Sequence, residues 1–499
     1  MQGSTDDNAP GDHLLVKAPS SERYRDRQLR ICGFLFFLAG FSGSAFGRFG
    51  TLFYLDRHLT AGQIGAVEAV QPVLGAAGSQ IFGWVADRLL RKKAVAVFGR
   101  VVSTAVLLLL PACTGCDRCF VSITVTLGAV AFFSVDYGVL GAYTLDLLGD
   151  DRQHEFGRYR VWCALSWGVG NAMMGKLAEI DFNLNFIAFG VLSVVASALM
   201  VWTLPKRTKG EIALLEERRA AAARCGGGGG GEADGEAAAG GASDAGADGE
   251  SGGGGGNGGG KQAGLVASLC TGRGLFFLLE LLLLGIGMSL VEQLLFVYAV
   301  RELGASYSLC GYTVAINVLL ELPIFWAGGW LLRNLRHDVM LLGALLAYAL
   351  RVYGYTLLTR HTVGWLLALE AMHGLTVALA ITACTDYMKV LVPQKWLTSG
   401  QMLMSTVQNS LGRIIGCSFG GWFIMHGTFL GEAGGRGLYL LAACVIAGLF
   451  ALHLTLHLVL LCAGRRGLLV EPSPPPQTEM RLAREDTTET PEARSTPSN

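Results

Sequence analysis

Two side chains seven residues apart, Arg160 and Trp167, combine a planar cation with an indole ring in the segment 155–167. Seven residues make nearly two turns of an α-helix, so both project from one face, with Trp167 about 10 Å further along the axis. A guanidinium and an indole on one buried face can bind a hydroxylated or anionic solute. The alternative, that Arg158 and Arg160 anchor a membrane span and Trp167 only packs, stays open.

Five ionisable side chains lie inside long apolar runs of the second half of the chain: Glu292, Glu321, Arg351, Glu370 and His373. Charged groups within a bilayer are costly and usually face a cavity or a partner. Glu370 and His373 are three residues apart and therefore adjacent on one helix face. A cluster of this kind can take up and release protons. A static network of salt bridges that locks the helices is the alternative.

The composition indicates what must hold these groups in place. Apolar residues make up 52% of the 499 residues, charged residues only 16%, and the mean hydropathy of +0.44 is typical of a multi-pass membrane protein. The net charge of zero gives no support for a nucleic-acid partner, and no phosphate-binding loop motif is present. Cys113, Cys116 and Cys119 form C-x-x-C-x-x-C in a predicted outer loop, where free thiols or a disulfide are expected because no fourth metal ligand is nearby.

About 20 helical residues span a hydrocarbon core of about 30 Å, and twelve apolar runs reach this length, six in each half. The sequence therefore predicts an all-α membrane protein with twelve transmembrane helices in two six-helix bundles. The predicted division is a disordered tail over 1–28, a bundle over 29–204, a Gly-rich loop over 205–264, a second bundle over 265–463, and a disordered tail over 464–499. The segment 206–224 is amphipathic and is expected to form a short surface helix.

The segment FGRYRVWCALSW resembles the start of the fifth helix of the lactose permease branch of the major facilitator superfamily, which has FGR-x-R and a Trp seven residues after the second Arg. The segments RELGASYSLCGYTVAINVLLELPIF and LEAMHGLTVALAITACTDY resemble the animal and protist major facilitator domain-containing proteins. The resemblance covers roughly residues 30–462 apart from the middle loop. It implies the major facilitator fold, in which two repeated halves rock about a central site.

The resemblance also assigns site residues. Residues 83–92 are similar to the superfamily's loop 2–3 signature, which implies a gate formed by Gly83, Asp87, Arg88, Arg91 and Lys92. Arg351 and His373 align with an Arg and a His that couple sugar to protons in lactose permease. The permease's sugar-binding acid on helix 4 corresponds to Ala142, and Asp146, one turn later, is the proposed substitute.

These observations favour a secondary active transporter, in which Arg160, Trp167 and Asp146 bind a small polar solute such as a sugar, a nucleoside or an aromatic acid. Glu321, Arg351, Glu370, His373 and Glu292 would couple its symport to protons. We expect no cofactor, no metal and no enzymatic activity, and we expect a monomer in the plasma membrane or an organelle membrane. A receptor or scaffold without transport activity on the same fold is the alternative, because fold alone does not fix function.

The distribution of positive charge predicts the topology. If both termini are cytoplasmic, 29 of the 39 Lys and Arg residues lie on the inside and five on the outside. In a variant without the other cysteines, Cys225 should react with an impermeant thiol reagent only after cells are permeabilised. A cysteine replacing Arg360, in a predicted outer loop, should react in intact cells. Labelling of Cys225 in intact cells would contradict the cytoplasmic placement of the middle loop.

Overall fold

The computed structural model describes residues 19–112, 116–152, 155–226, 268–393, 396–464 and 468–469. Four predicted features lie wholly or partly outside these residues: the first part of the N-terminal tail, Cys113, most of the Gly-rich loop and nearly all of the C-terminal tail. The described residues are mainly α-helical. Their one β-structure is an antiparallel pair of two-residue strands, Thr428–Phe429 and Glu432–Ala433.

The first half of the chain forms nine described α-helices. They are α1 (Pro19–Ser44), α2 (Gly50–Asp56), α3 (Ala61–Leu89), α4 (Lys92–Leu107), α5 (Cys116–Phe133), α6 (Asp136–Arg152), α7 (Phe156–Ile180), α8 (Asn183–Thr203) and α9 (Lys209–Gly226). Helix α9 falls on the amphipathic segment that follows the sixth apolar run.

The second half forms nine described α-helices. They are α10 (Gly272–Ser289), α11 (Leu295–Arg301), α12 (Tyr307–Asn334), α13 (His337–Thr356), α14 (Leu366–Ala371), α15 (Leu379–Leu391), α16 (Leu397–Ser405), α17 (Gly412–His426) and α18 (Gly434–Cys462). Three π-helical segments connect consecutive helices: Leu290–Leu294, Gly374–Ala378 and Thr406–Leu411.

Hydroxyl side chains mark where several of these helices begin. Thr60 and Gln63 form a reciprocal capping box at the start of α3, and Ser306 accepts a hydrogen bond from the backbone N–H of Leu309 at the start of α12. Helices α3 and α12 each contain one interior proline, Pro72 and Pro323. The similar caps and prolines agree with a repeat of the two halves.

Eight described helical segments are long and apolar enough to cross a membrane. They are Lys92–Ala112, Cys119–Gly149, Asn183–Thr203, Gly272–Arg301, Tyr307–Asn334, His337–Thr356, Val363–Leu391 and Gly434–Cys462. Four other predicted spans fall on α1 with α2, α3, α7, and α16 with α17, which are helical but less apolar. These helices line the seam between the two halves, so part of their surface carries glycine and polar residues instead of aliphatic ones.

The two halves meet closely at the end of the seam where α3 begins and α7 ends. A Cβ atom on Gly421 of α17 would lie 2.5 Å from the carbonyl oxygen of Ala61, and one on Gly175 of α7 would lie 2.6 Å from the carbonyl oxygen of Tyr307. Glu179 accepts hydrogen bonds from both the backbone and the hydroxyl of Ser308, at 2.9 and 2.6 Å. Glycine therefore allows the helix backbones to touch, and this end of the seam is closed.

Replacing Gly421 by Val should open this end, because the new side chain overlaps the backbone of α3. We expect a cysteine introduced at Gln71, on the cavity side of α3, to react several-fold faster with an impermeant thiol reagent applied from that end. Gly448→Val is the control, since a Cβ at Gly448 would meet no atom within 4 Å. Equal labelling rates in the two variants would show that the glycine contact does not hold the seam closed.

Candidate functional site

A cavity of about 610 Å³ lies between the two halves and is lined by both. Its charged and polar lining comes from seven regions of the chain, six of them helical and one the turn after α1. These lining residues include Arg48, Gln71, Trp167, Glu292, Gln293, Asn317, Glu321, His373, Gln408, Asn409 and Arg413. This volume suits a small solute rather than a polymer.

Irregular backbone surrounds this cavity. The chain between α1 and α2 leaves the helix over residues 45–49, and this turn brings Phe46, Gly47 and Arg48 to the cavity wall. Each of the three π-helical segments also contributes lining residues, including Glu292, Val377 and Gln408. Broken helices and π segments recur at functional sites in membrane proteins because they aim side chains that a regular helix would direct elsewhere.

Trp167 forms part of the cavity wall, held by two glycines of the first span. A Cβ on Gly47 would overlap the indole ring, and one on Gly43 would lie 3.2 Å from it. Asn171 donates a hydrogen bond of 2.8 Å to the carbonyl oxygen of Trp167, one turn along α7. The six-membered ring of the indole therefore packs closely against the broken part of the first span. It also lines a smaller cavity of about 320 Å³ within the first half, which contains the buried Arg100–Asp136 ion pair.

Arg351 and Glu370 form an ion pair behind the cavity lining, and both side chains are at most 1% exposed. Nη2 of Arg351 donates to Oε1 of Glu370 at 2.7 Å, and Nη1 donates to Nδ1 of His373 and to the hydroxyl of Thr376, both at 3.0 Å. A guanidinium has no acceptor atom, so Nδ1 of His373 must accept and carries no proton. The structure thus brings Arg351, Glu370 and His373 into one network.

Glu370 has further partners, one of which crosses the seam. Tyr355 donates a hydrogen bond to Oε1 of Glu370, and Nδ2 of Asn317 donates to Oε2 at 2.9 Å. Nη1 of Arg48, in the first half, lies 3.9 Å from the same Oε2, and its guanidinium stacks over Phe296 at 5.4 Å. One carboxylate therefore receives positive charge from both halves of the molecule.

The other two acids of the predicted coupling set lie in the cavity without such partners. Glu292 and Glu321 both line it, and neither forms a hydrogen bond or ion pair with any residue in the described part of the chain. A third acid, Glu68, is 2% exposed and pairs across the seam with Arg413. The two acids that line the cavity thus lack hydrogen-bond and ion-pair partners among the described residues, whereas Glu68 and Glu370, outside its lining, are ion-paired.

Arg160 and Trp167 do not share the central cavity. Arg160 is exposed, and its Nε donates a 2.9 Å hydrogen bond to the hydroxyl of Tyr137, above whose ring its guanidinium lies at 5.6 Å. The helix does place both side chains along α7, but only Trp167 reaches the cavity lining. Contact of Arg160 with a solute stays a prediction.

Asp146 is part of a contact between the basic loop and the end of the first half. Its Oδ2 accepts from Nζ of Lys92 at 2.6 Å and from the hydroxyl of Thr208 at 3.1 Å. Helix α9 packs at the same place, because Glu211 accepts a hydrogen bond of 2.8 Å from the backbone N–H of Lys92. Asp146 therefore lies away from the cavity lining in this state, and its role toward a solute also stays a prediction.

The proposed gate residues lie around the turn between α3 and α4. Leu90 adopts the left-handed conformation with a φ of 51°, at the position where the family signature has Gly. Arg88 stacks over Trp84 at 5.0 Å, while Gly83 and Arg91 lie on either side of the turn. Asp87 is exposed and pairs with no cation among the described residues. In the described part of the chain, none of these five gate residues forms a hydrogen bond or ion pair with the second half.

Three contributors to this site were not assigned a role from the sequence: Arg48, Asn317 and Tyr355. Arg48 carried a usable signal, since it is a cation inside an apolar run beside Gly47. Asn317 and Tyr355 carried no such signal, because polar uncharged residues are common in membrane helices. Only the fold shows that both bond Glu370.

Comparison with known proteins agrees with this architecture. The MFS_1 like family model matches residues 28–430, and the chain therefore belongs to this family. No curated protein matches the sequence. Among solved structures, the nucleoside transporter NupG aligns at 17% identity and a TM-score of 0.60, covering 86% of this chain and 98% of NupG.

Two further structures are similar over nearly their full length. A variant of a peptide transporter POT in complex with alafosfalin has 12% identity and a TM-score of 0.62, covering 89% of this chain and 96% of the other. A D-xylose-proton symporter has 10% identity and a TM-score of 0.57, covering 86% and 97%. At such low identities these likenesses show the fold, which is that of a multi-pass membrane transporter.

The hydrogen-bonded network around Arg351 and Glu370 predicts that loss of one charge strongly lowers the stability of the fold. Glu370→Gln would leave the buried guanidinium of Arg351 without its counter-charge, which typically costs about 3–5 kcal/mol of folding free energy. A denaturant titration of the purified protein in detergent gives the free energy of unfolding and so measures this cost. Glu432→Gln, which removes a half-exposed partner 3.9 Å from Arg436, should cost at most about 1 kcal/mol. Similar stabilities for the two variants would contradict the counter-charge role of Glu370.

Proposed function

We propose that this protein is a secondary active transporter that carries a small polar solute in symport with protons. Its twelve spans would form two six-helix bundles that rock about the central cavity, exposing it to one side of the membrane at a time. The solute would be sugar-like, a nucleoside or an aromatic acid. The proposal treats the protein as a monomer that needs no cofactor.

The observation that carries the proposal is the pair of partnerless acids in a cavity between the halves. Glu292 and Glu321 stand in the wall of the cavity and bond no described side chain. A carboxyl group at membrane depth that is not tied to a structural partner is suited to exchange protons with water in the cavity. A receptor or scaffold would have no use for such a costly group.

The buried network provides a way to link protonation to movement. Glu370 already receives Arg351, Tyr355 and Asn317 from its own half, and Arg48 approaches it from the other half. A change of charge on a cavity acid, or an anionic solute, would compete for Arg48 and alter the attraction between the halves. His373, whose Nδ1 accepts from Arg351, would be protonated only after that bond breaks.

The different contacts at the two ends of the seam support an alternating mechanism. The glycine contacts and the bonds of Glu179 close the end at which α3 begins. At the other end, Lys92 is engaged with Asp146 inside the first half and Asp87 is exposed. If the termini are cytoplasmic, this is the inward-facing state. Asp87 would pair with cations of the second half when that end closes.

We propose Trp167 as the stacking wall of the solute site and Arg48, Asn317 and Gln408 as its nearest polar contacts. All four line the cavity, and the indole is fixed in place by the first span. The hypothesis that Arg160 and Asp146 bind the solute applies to a state in which Arg160 leaves Tyr137 and Asp146 leaves Lys92. In the present state these bonds keep both side chains away.

The decisive experiment is uptake into proteoliposomes from a panel of sugars, nucleosides and aromatic acids, with and without an imposed pH gradient. Uptake of one class that rises with the gradient supports proton symport. Uptake that does not change with the gradient would contradict proton coupling but would still support transport. Binding of a solute without any uptake would favour the receptor alternative.

Neutralising one acid should separate coupling from transport. A proton that moves down 100 mV and one pH unit releases about 3.7 kcal/mol, enough for about 500-fold accumulation of the solute. Glu321→Gln should abolish this accumulation and spare exchange of the solute across the membrane. Glu216→Gln, on the exposed face of α9, is the control and should accumulate normally. Normal accumulation by the Glu321 variant would exclude this residue as the proton carrier.

A further inference from the structure

A second group of ionisable side chains lies within the second half, away from the central cavity. Asp338 begins α13, Glu280 lies on α10, and His453 and His457 lie one turn apart on α18. Exposure of these four side chains ranges from 0 to 9%. The cluster is at the end of the bundle where α10 and α13 begin and α18 ends, and the proposed transport mechanism does not use it.

One hydrogen bond orients the ring of His453. Its Nδ1 lies 2.5 Å from Oε1 of Glu280, and when this carboxylate is ionised it can only accept, so that Nδ1 then carries the proton. In the neutral imidazole, Nε2 then presents a lone pair. This Nε2 points at Asp338, whose Oδ1 lies 3.4 Å away, but no hydrogen bond joins the two atoms.

The other members leave matching atoms unsatisfied. Nδ1 of His457 lies 3.3 Å from Oδ2 of Asp338, also without a hydrogen bond. Thus Oδ2 of Asp338, Nε2 of His453 and Nδ1 of His457 are all buried and all without hydrogen-bond partners. One ligand atom from each of the three residues can be chosen so that all lie within 4.8 Å of one another. Lone pairs that face one another in this way repel unless a proton or a metal ion lies between them.

We propose that Asp338, His453 and His457 bind a divalent transition-metal ion, with Zn²⁺ as the best match. Zn²⁺ takes imidazole and carboxylate ligands at about 2.0–2.2 Å, and its tetrahedral geometry separates ligand atoms by about 3.4 Å. The 3.3 Å separation between Nδ1 of His457 and Oδ2 of Asp338 is close to this value. Two nitrogen ligands and one oxygen ligand leave a fourth position for water.

Glu280 supplies the outer support that such sites use. Histidine ligands of zinc usually donate their second ring N–H to a carboxylate, which orients the ring and strengthens it as a ligand. The Glu280–His453 bond has this form. Arg336 opposes the cation, since its Nη2 lies 3.6 Å from Oδ2 of Asp338, but this side chain is about half exposed and can turn to solvent.

The site would hold three helices and the segment that follows them together. Asp338 also accepts a 2.8 Å hydrogen bond from the backbone N–H of Leu469, beyond the end of α18. A metal ion here would join α13 to α18 directly and α10 through Glu280. It would therefore fasten one end of the second half without reaching the solute cavity.

The test uses the full-length protein, purified in detergent without a polyhistidine tag and stripped with a chelator. Zn²⁺ is then titrated against a chromophoric competitor. The wild type should bind one more equivalent than His457→Gln, and Glu280→Gln should bind that equivalent 10- to 100-fold more weakly. His426→Gln, which removes an exposed histidine on α17, should match the wild type. Because all variants keep the cysteines, thiolate binding cancels in the comparison.

A measurement on the wild type alone protects against variants that fail to fold. Replacement of Zn²⁺ by Co²⁺ should give the visible absorption of a four-coordinate nitrogen and oxygen site. A thiolate charge-transfer band alone, or no four-coordinate spectrum, would overturn the proposal. Equal stoichiometry and affinity in folded wild type and His457→Gln would also overturn it and leave the cluster as a site for protons.

Discussion

Pairing of the buried guanidinium of Arg351 is the constraint on which the central part of the structure depends. A charge at this depth must be neutralised and fully hydrogen-bonded, because neither lipid nor the protein interior can solvate it. Glu370 supplies the charge and accepts from Nη2, and His373 and Thr376 both accept from Nη1, while Nε bonds no described residue. Tyr355 and Asn317 then bond the carboxylate, which draws α12, α13 and α14 to one point. The arrangement leaves one face of Glu370 for Arg48 of the other half.

The contacts along the seam between the halves differ from this tightly bonded network, because they depend on close approach of helix backbones. Where α17 meets α3 and α12 meets α7, glycines replace side chains, so the helices touch through their backbones and give up apolar area. Burial of large side chains would bind the halves permanently. Contacts made of glycine and a few hydrogen bonds, such as those of Glu179, are small enough to separate. The seam is therefore held by interactions that can be lost and remade.

Much of the architecture could be predicted from sequence because the bilayer imposes length and hydropathy on each span. The family, a mostly helical fold and eight spans agree with that prediction. The spans at the seam are predicted less clearly, because glycine and polar residues lower their hydropathy. Grouping of Arg351, Glu370 and His373 followed from the rule that buried charges find partners.

The position of Arg160 did not follow from helical phase, because phase fixes a face of α7 but not which neighbour that face meets. Tyr137 lies there, and only packing of α6 against α7 reveals it.

The three π-helical segments give the second half an adjustable wall. Each π turn holds one residue more than an α turn, so its relaxation to α would rotate the residues beyond it by about 100° and move them about 1.5 Å along the axis. Such a rotation would change which side chains, among them Gln293 and Gln408, face the cavity. The first half has no π segment among its described residues. The two halves are thus unequal: one presents a fixed surface, and the other can change which side chains it displays, one residue at a time.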